Sequence, residues 1–213
     1  LDLLKTEDDF VLQRGESSLS RWKPEFTKAK IEALAYKEVR YHYLLPCLLT
    51  ADVSIVGVGI IRHPCGVINS WYQAPREFQP QWDLIEEWRD APKKNAGRIE
   101  EYFGYRKWKE VAIMFHRLLK RFPENFYVVG YEDLVWDPVR TVEPIINHLG
   151  LEITSQMKKY IDASESQDDG DPYGTFRKEG LARAYRWRYE LDRRIQEAIF
   201  RDLEGGELSV YLS

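Results

Sequence analysis

Two apolar runs constrain the fold of this chain more than any other feature. The first, VSIVGVGII at residues 53–61, is rich in β-branched residues and lacks polar alternation. That pattern predicts a strand buried on both faces. It breaks at Arg62, His63 and Pro64, and CGVINSWY then reads as the start of a helix, because the residue before a proline leaves the helical region. Gly57 and Gly59 are isolated glycines inside the run and make no phosphate-loop pattern. The second run, ENFYVVGYEDLV at residues 124–135, predicts another buried strand with an acidic exit at Glu132 and Asp133.

Helical patterns lie around these runs. Residues 22–49 read as a helix from near Pro24 up to Pro46, with Ile31, Leu34, Ala35 and Val39 at helical spacing. WDLIEEWRD is a short amphipathic segment. GRIEEYFGYRKWKEVAIMFHRLLKRF is a longer one whose apolar face includes Ile99, Tyr102, Phe103, Val111, Phe115, Leu118 and Leu119. Asp137 and Pro138 fit the cap and first position of a helix running through Leu149 and ended by Gly150. SESQDDGDPYGTFRKEG is polar and glycine-rich, hence a loop, and LDRRIQEAIFRDL closes the chain with a helix. The opening LDLLKTEDDFVL contains a candidate short strand.

Strand, helix, strand and helix in this order predict an α/β layer fold, with a mostly parallel central sheet flanked by helices on both faces. With 213 residues, one domain over residues 1–213 accommodates a sizeable core. Ligand sites in such folds favour the carboxyl ends of strands.

Composition excludes several classes. The longest run without charge or amide, Val53 to Ile61, is far too short to span a bilayer, so no transmembrane segment is expected. Two cysteines are too few for a disulfide framework, and four histidines without ligand spacing give a zinc or other metal site no support. A reducing, cytoplasmic compartment is the default expectation. A net charge of −4 offers nucleic acid no global attraction, and the basic and aromatic residues form no interleaved tract. The chain begins at Leu1 rather than methionine, which suggests a processed, trimmed or partial sequence.

Chemistry concentrates at three places. Arg62 lies at the expected carboxyl end of the first strand and Ser70 follows eight residues later. A guanidinium fork, a hydroxyl and free backbone N–H groups near Gly66 suit a phosphate. A structural salt bridge or surface cap is the competing reading. Arg177 and Lys178 in FRKEG, with Arg183, Arg186 and Arg188 nearby, could close over the same anion or simply be solvated. In LKTEDDF, Lys5 suits a transferring anion and Glu7, or Asp8 or Asp9 in its place, a general base; a surface network is the alternative. Glu132 and Asp133 read as structural, organising the strand exit, and Tyr131 as a core-edge residue or a stacking surface.

Taken in order, these segments resemble the sulfotransferase family. GIIRHPCGVINSW is similar to that family's nucleotide 3'-phosphate motif, FYVVGYEDLVWDPVRTVEPIINHLGLE to its downstream strand and helix, and FRKEG with YRWRYEL to its basic C-terminal region. The resemblance covers roughly residues 51–205, with LLKTEDD an earlier match. It implies a P-loop-containing nucleotide hydrolase-like fold of sulfotransferase type, N-terminally incomplete here. It further implies sulfuryl transfer from 3'-phosphoadenosine 5'-phosphosulfate to a hydroxyl or amine, releasing adenosine 3',5'-bisphosphate. Arg62, Ser70, Arg177 and Lys178 would hold the 3'-phosphate, Tyr131 would contact the base, and Lys5 and Glu7 would serve catalysis. The acceptor would be a small molecule or carbohydrate. His63 departs from the acidic or amide residue common at its position. The glycine–threonine–threonine loop that cradles the donor's 5'-phosphosulfate has no counterpart in this sequence. A nucleotide-binding relative without catalysis is the alternative; phosphotransfer lacks its phosphate-loop lysine.

Overall fold

The computed structural model describes residues 33–166 and 180–212. Backbone contacts divide them into two compact units, residues 33–36 with 152–166 and residues 37–151 with 180–212. In the second unit, a 3-10 turn at His42–Leu44 leads into α1 (Leu45–Ala51), and β1 (Gly57–Ile61) runs straight into α2 (Pro64–Tyr72). Two single-turn helices, α3 (Leu84–Glu87) and α4 (Pro92–Asn95), precede the long α5 (Tyr105–Arg121). β2 (Phe126–Gly130) then passes directly into α6 (Tyr131–Trp136) and α7 (Pro138–His148). The first unit contributes α8 (Ser155–Ser166), whose first turn is capped by Thr154 Oγ1 accepting from the Met157 N–H at 3.2 Å. Back in the second unit, α9 (Gly180–Tyr185), α10 (Trp187–Glu190) and α11 (Arg193–Leu203) complete the helices, followed by a 3-10 turn at Glu207–Leu212.

The described residues are thus mostly helical, and their sheet has two strands, β1 and β2, paired in parallel from Gly57↔Phe126 to Ile61↔Gly130. This overturns the expected three-layer, P-loop-hydrolase-like architecture built on a larger central sheet. The reason lies in β1 itself. Its apolar continuity predicted cover on both faces, yet Gly57, Gly59 and Ile61 are buried while Val58 and Ile60 are 46% and 56% exposed. Among the described residues, cover on that second face reaches only β2, where Val129 is buried and the Tyr127 ring meets His148 of α7. The candidate strand in residues 1–12 lies outside the described residues.

Three groups of side chains carry the packing. Around α2, α5 and α11, Ile61, Cys65, Ile68, Trp108, Ile195 and Ile199 pack together, each buried aliphatic chain contributing about 1.5–3 kcal/mol. Ile195, Ile199 and Leu203 form the buried stripe of α11, four residues apart on a helix that also carries Arg193, Arg194, Glu197, Arg201 and Asp202. Under the sheet, Leu49, Phe115, Leu118 and Phe126 form a second group, and Trp71, Phe78 and Ala91 a third. The strand starts are tied by Asn125, whose carbonyl accepts from the Gly57 N–H at 2.8 Å and whose Nδ2 donates to the Val53 carbonyl at 2.7 Å.

Helix boundaries follow local chemistry, with three departures from expectation, the first being that residues 131–135, read as the end of the second strand, form α6. Residues 33–38 carry no regular structure, and α1 begins where the proposed helix was to end, because Pro46 fits the first turn. The α5 helix starts at Tyr105 rather than near Gly97. Gly104, at φ 90°, breaks the pattern there, and a Cβ on it would lie 2.9 Å from the Arg89 carbonyl oxygen. Elsewhere Asp83, Asp137 and Asp192 cap α3, α7 and α11 by accepting from N–H groups of the first turn, and Gly150 follows α7 at φ 66°. No helix of the described residues is long and apolar enough to cross a membrane.

Candidate functional site: the exit of β1 and the α2 cleft

Arg62 is the first residue beyond β1, and its backbone is held from two sides. Its carbonyl accepts from the Trp108 indole N–H at 2.9 Å. The N–H of His63, the other end of the same peptide unit, donates to Glu132 Oε1 at 3.1 Å. The Arg62 guanidinium lies over the Tyr131 ring, 4.6 Å from its centroid, and Nη2 makes long contacts to the carbonyls of Arg183 and Ala184 at 3.4 and 3.3 Å. A Cβ on Gly66 would sit 2.8 Å from Arg62 Nε, so the absent side chain is what lets the arginine run across the first turn of α2.

His63 starts that helix. Its Nδ1 accepts from the Cys65 N–H at 3.1 Å, and its ring stacks on Trp187 at 4.1 Å. Burial pushes its pKa down to about 4, so the ring is neutral near pH 7; nearby Arg188 and Arg62 act in the same direction. Burial likewise pushes the Cys65 thiol up to about 12, leaving it protonated and inert. Both residues serve the local structure. One turn further, buried Asn69 donates to Glu190 Oε2 at 2.7 Å and ties α2 to α10.

Ser70 is exposed on the last turn of α2 and lines the same cleft as Arg62, a space of about 400 Å³. Ile68, Trp71, Tyr102 and Phe103 give it apolar and aromatic walls; Arg40, His42 and Glu101 supply further polar groups. Glu101 is buried. Its Oε1 accepts from Arg40 Nη1 at 2.8 Å and pairs with Arg98 at 3.3 Å, while Oε2 has no hydrogen-bond partner among the described residues. His42 lies against Tyr102, 4.6 Å between ring centroids, and burial lowers its pKa against the opposing pull of Glu38. Arg62 and Ser70 both line the cleft, and its aromatic walls suit a flat organic body.

The structure therefore brings three of the residues nominated from sequence together: Arg62 shares a cleft with Ser70 and a ring contact with Tyr131. Lys5, Glu7, Arg177 and Lys178 lie outside the described residues. Arg40, His42, Glu101 and Trp108 were not nominated. They come from segments distant in sequence and carry no motif that could have marked them. Among the described residues no cluster of three or more His, Cys, Asp or Glu could hold a metal.

Residues 57–155 match the model of the Sulfotransferase family. The matched stretch runs from the start of β1 to the first residue of α8 and includes Arg62, Ser70, Trp108, Tyr131 and Glu132. No curated protein and no solved structure matches the chain.

Proposed function

We propose that this chain binds 3'-phosphoadenosine 5'-phosphosulfate through its 3'-phosphate and serves sulfuryl transfer to a hydroxyl or amine of a small molecule or carbohydrate. The observation that carries this reading is the placement of Arg62, at the carboxyl end of β1, and Ser70, on α2, along one cleft of about 400 Å³. Ligands of open parallel sheets favour that end of a strand, and the family match over residues 57–155 supports the same class.

In this reading Arg62 donates guanidinium N–H groups to the 3'-phosphate and Ser70 donates its hydroxyl. Arg177 and Lys178 add positive charge to the same group, and Tyr131 contacts the base. The bound donor supplies the activated sulfuryl group. Glu7 takes the proton of the acceptor's hydroxyl or amine, and Lys5 donates to the negative charge that grows on the departing oxygen.

The test is turnover of labelled donor across phenols, alcohols, amines and sugars by wild type and Glu7→Gln. Loss of a general base is expected to lower turnover by roughly 10²–10⁴-fold while adenosine 3',5'-bisphosphate binding is kept. Equal turnover removes Glu7 from that role. Nucleotide binding by wild type with no transfer to any acceptor identifies a relative without catalysis.

A further inference from the structure

We infer that Glu132 and Trp108 are positioning residues for anion binding by Arg62: together they clamp the peptide unit that follows it. The inference rests on the proposed 3'-phosphate role of Arg62.

The Arg62–His63 peptide is a rigid plane with one acceptor and one donor. Trp108, from α5, donates to its carbonyl at 2.9 Å, and Glu132, from α6, accepts from its N–H at 3.1 Å. Holding both ends of the plane fixes ψ of Arg62 and φ of His63. It thereby fixes the direction in which the Arg62 side chain leaves the backbone. Trp108 is 8% exposed, so its hydrogen bond is sheltered from competing water. The residue before Glu132, Tyr131, supplies the ring beneath the guanidinium, so the first turn of α6 meets Arg62 at its backbone and at its head. Gly66 leaves the space through which the side chain crosses α2. At a strand end, where pairing with β2 stops at Ile61↔Gly130, these contacts take over the orienting work of the sheet.

Glu132 is also a negative charge placed close in the fold to an anion-binding arginine. As a bare charge it opposes anion binding, and removing it would tighten binding. As a clamp it favours binding, and removing it weakens it. The two roles predict opposite signs.

The experiment measures, by calorimetry, affinity for adenosine 3',5'-bisphosphate and for adenosine 5'-phosphate, which lacks the 3'-phosphate. Wild type, Arg62→Ala, Glu132→Ala, Glu132→Gln and Trp108→Phe are compared, with folding checked by circular dichroism. The preference of wild type for the bisphosphate is expected to fall about tenfold in Glu132→Ala, the scale of one lost hydrogen bond to a charged group. Trp108→Phe, which keeps a ring and deletes the N–H, moves the same way. Glu132→Gln, whose amide oxygen still accepts from His63, restores the preference. Unchanged or tighter bisphosphate binding in folded Glu132→Ala overturns the inference, as does an equal loss for both nucleotides. If Glu132→Ala does not fold, an unchanged preference in Trp108→Phe overturns it alone. A wild type without preference refutes the 3'-phosphate reading itself, and the clamp falls with it. A preference lost in Arg62→Ala but kept in the clamp variants refutes only the clamp.

Discussion

The imidazole of His63 lies stacked on the indole of Trp187, 4.1 Å between ring centroids and 19° between planes, while its Nδ1 caps α2. Only the neutral ring can accept from the Cys65 N–H, and burial depresses its pKa to about 4 from an ordinary 6.5. The unfolded chain therefore binds more protons than the folded one between those two values. Stability is full above about pH 6.5 and is lost as pH falls toward 4, by roughly 3 kcal/mol for this group. His42, also depressed by burial, acts with the same sign. Urea midpoints measured from pH 7 to pH 4 are expected to fall steeply for wild type and less so for His63→Asn, which keeps a capping acceptor but cannot titrate. Equal slopes for the two proteins would show that His63 does not carry the effect.

Gly59 is a packing requirement rather than a flexible point. A Cβ there would lie 2.6 Å from the Phe115 ring, and Phe115 is itself buried with Leu49, Leu118 and Phe126. Gly59→Ala is expected to cost about 1–3 kcal/mol through overpacking. Combining it with Phe115→Leu should cost less than the sum of the two single changes, since the smaller side chain vacates the clash. Val58→Thr, on the exposed face of the same strand, should shift the thermal midpoint little. Full additivity of the Gly59 and Phe115 variants would contradict the contact.

Much of the fold was legible where the signal is local. The two strands lie within the β-branched runs, and Asp137 caps α7 as its place before Pro138 implies, because a short carboxylate reaches the N–H groups of the next turn. Pro46 marks a helix start, not the stop expected there, and apolar periodicity across Gly104 masked the break it makes. β1 misled for a different reason: a continuous apolar run does not say whether one face or two will be covered. At the site, Arg62 and Ser70 stood out because strand end, arginine and following helix form one local pattern. Glu132 and His63, 69 residues apart, and Trp108 and Arg62, 46 apart, meet only through the parallel pairing of β1 with β2 and the packing of α5. Glu101 belongs to the same category; nothing in EEYFG announces a buried carboxylate with one oxygen unpaired among the described residues.

The most direct measurement is the binding of adenosine 3',5'-bisphosphate and adenosine 5'-phosphate to wild type and Arg62→Ala by titration calorimetry. Removing a charged donor to a phosphate is expected to weaken the bisphosphate by about tenfold or more, with little change for the monophosphate. Bisphosphate affinity that is the same in wild type and Arg62→Ala would contradict a 3'-phosphate site at the exit of β1.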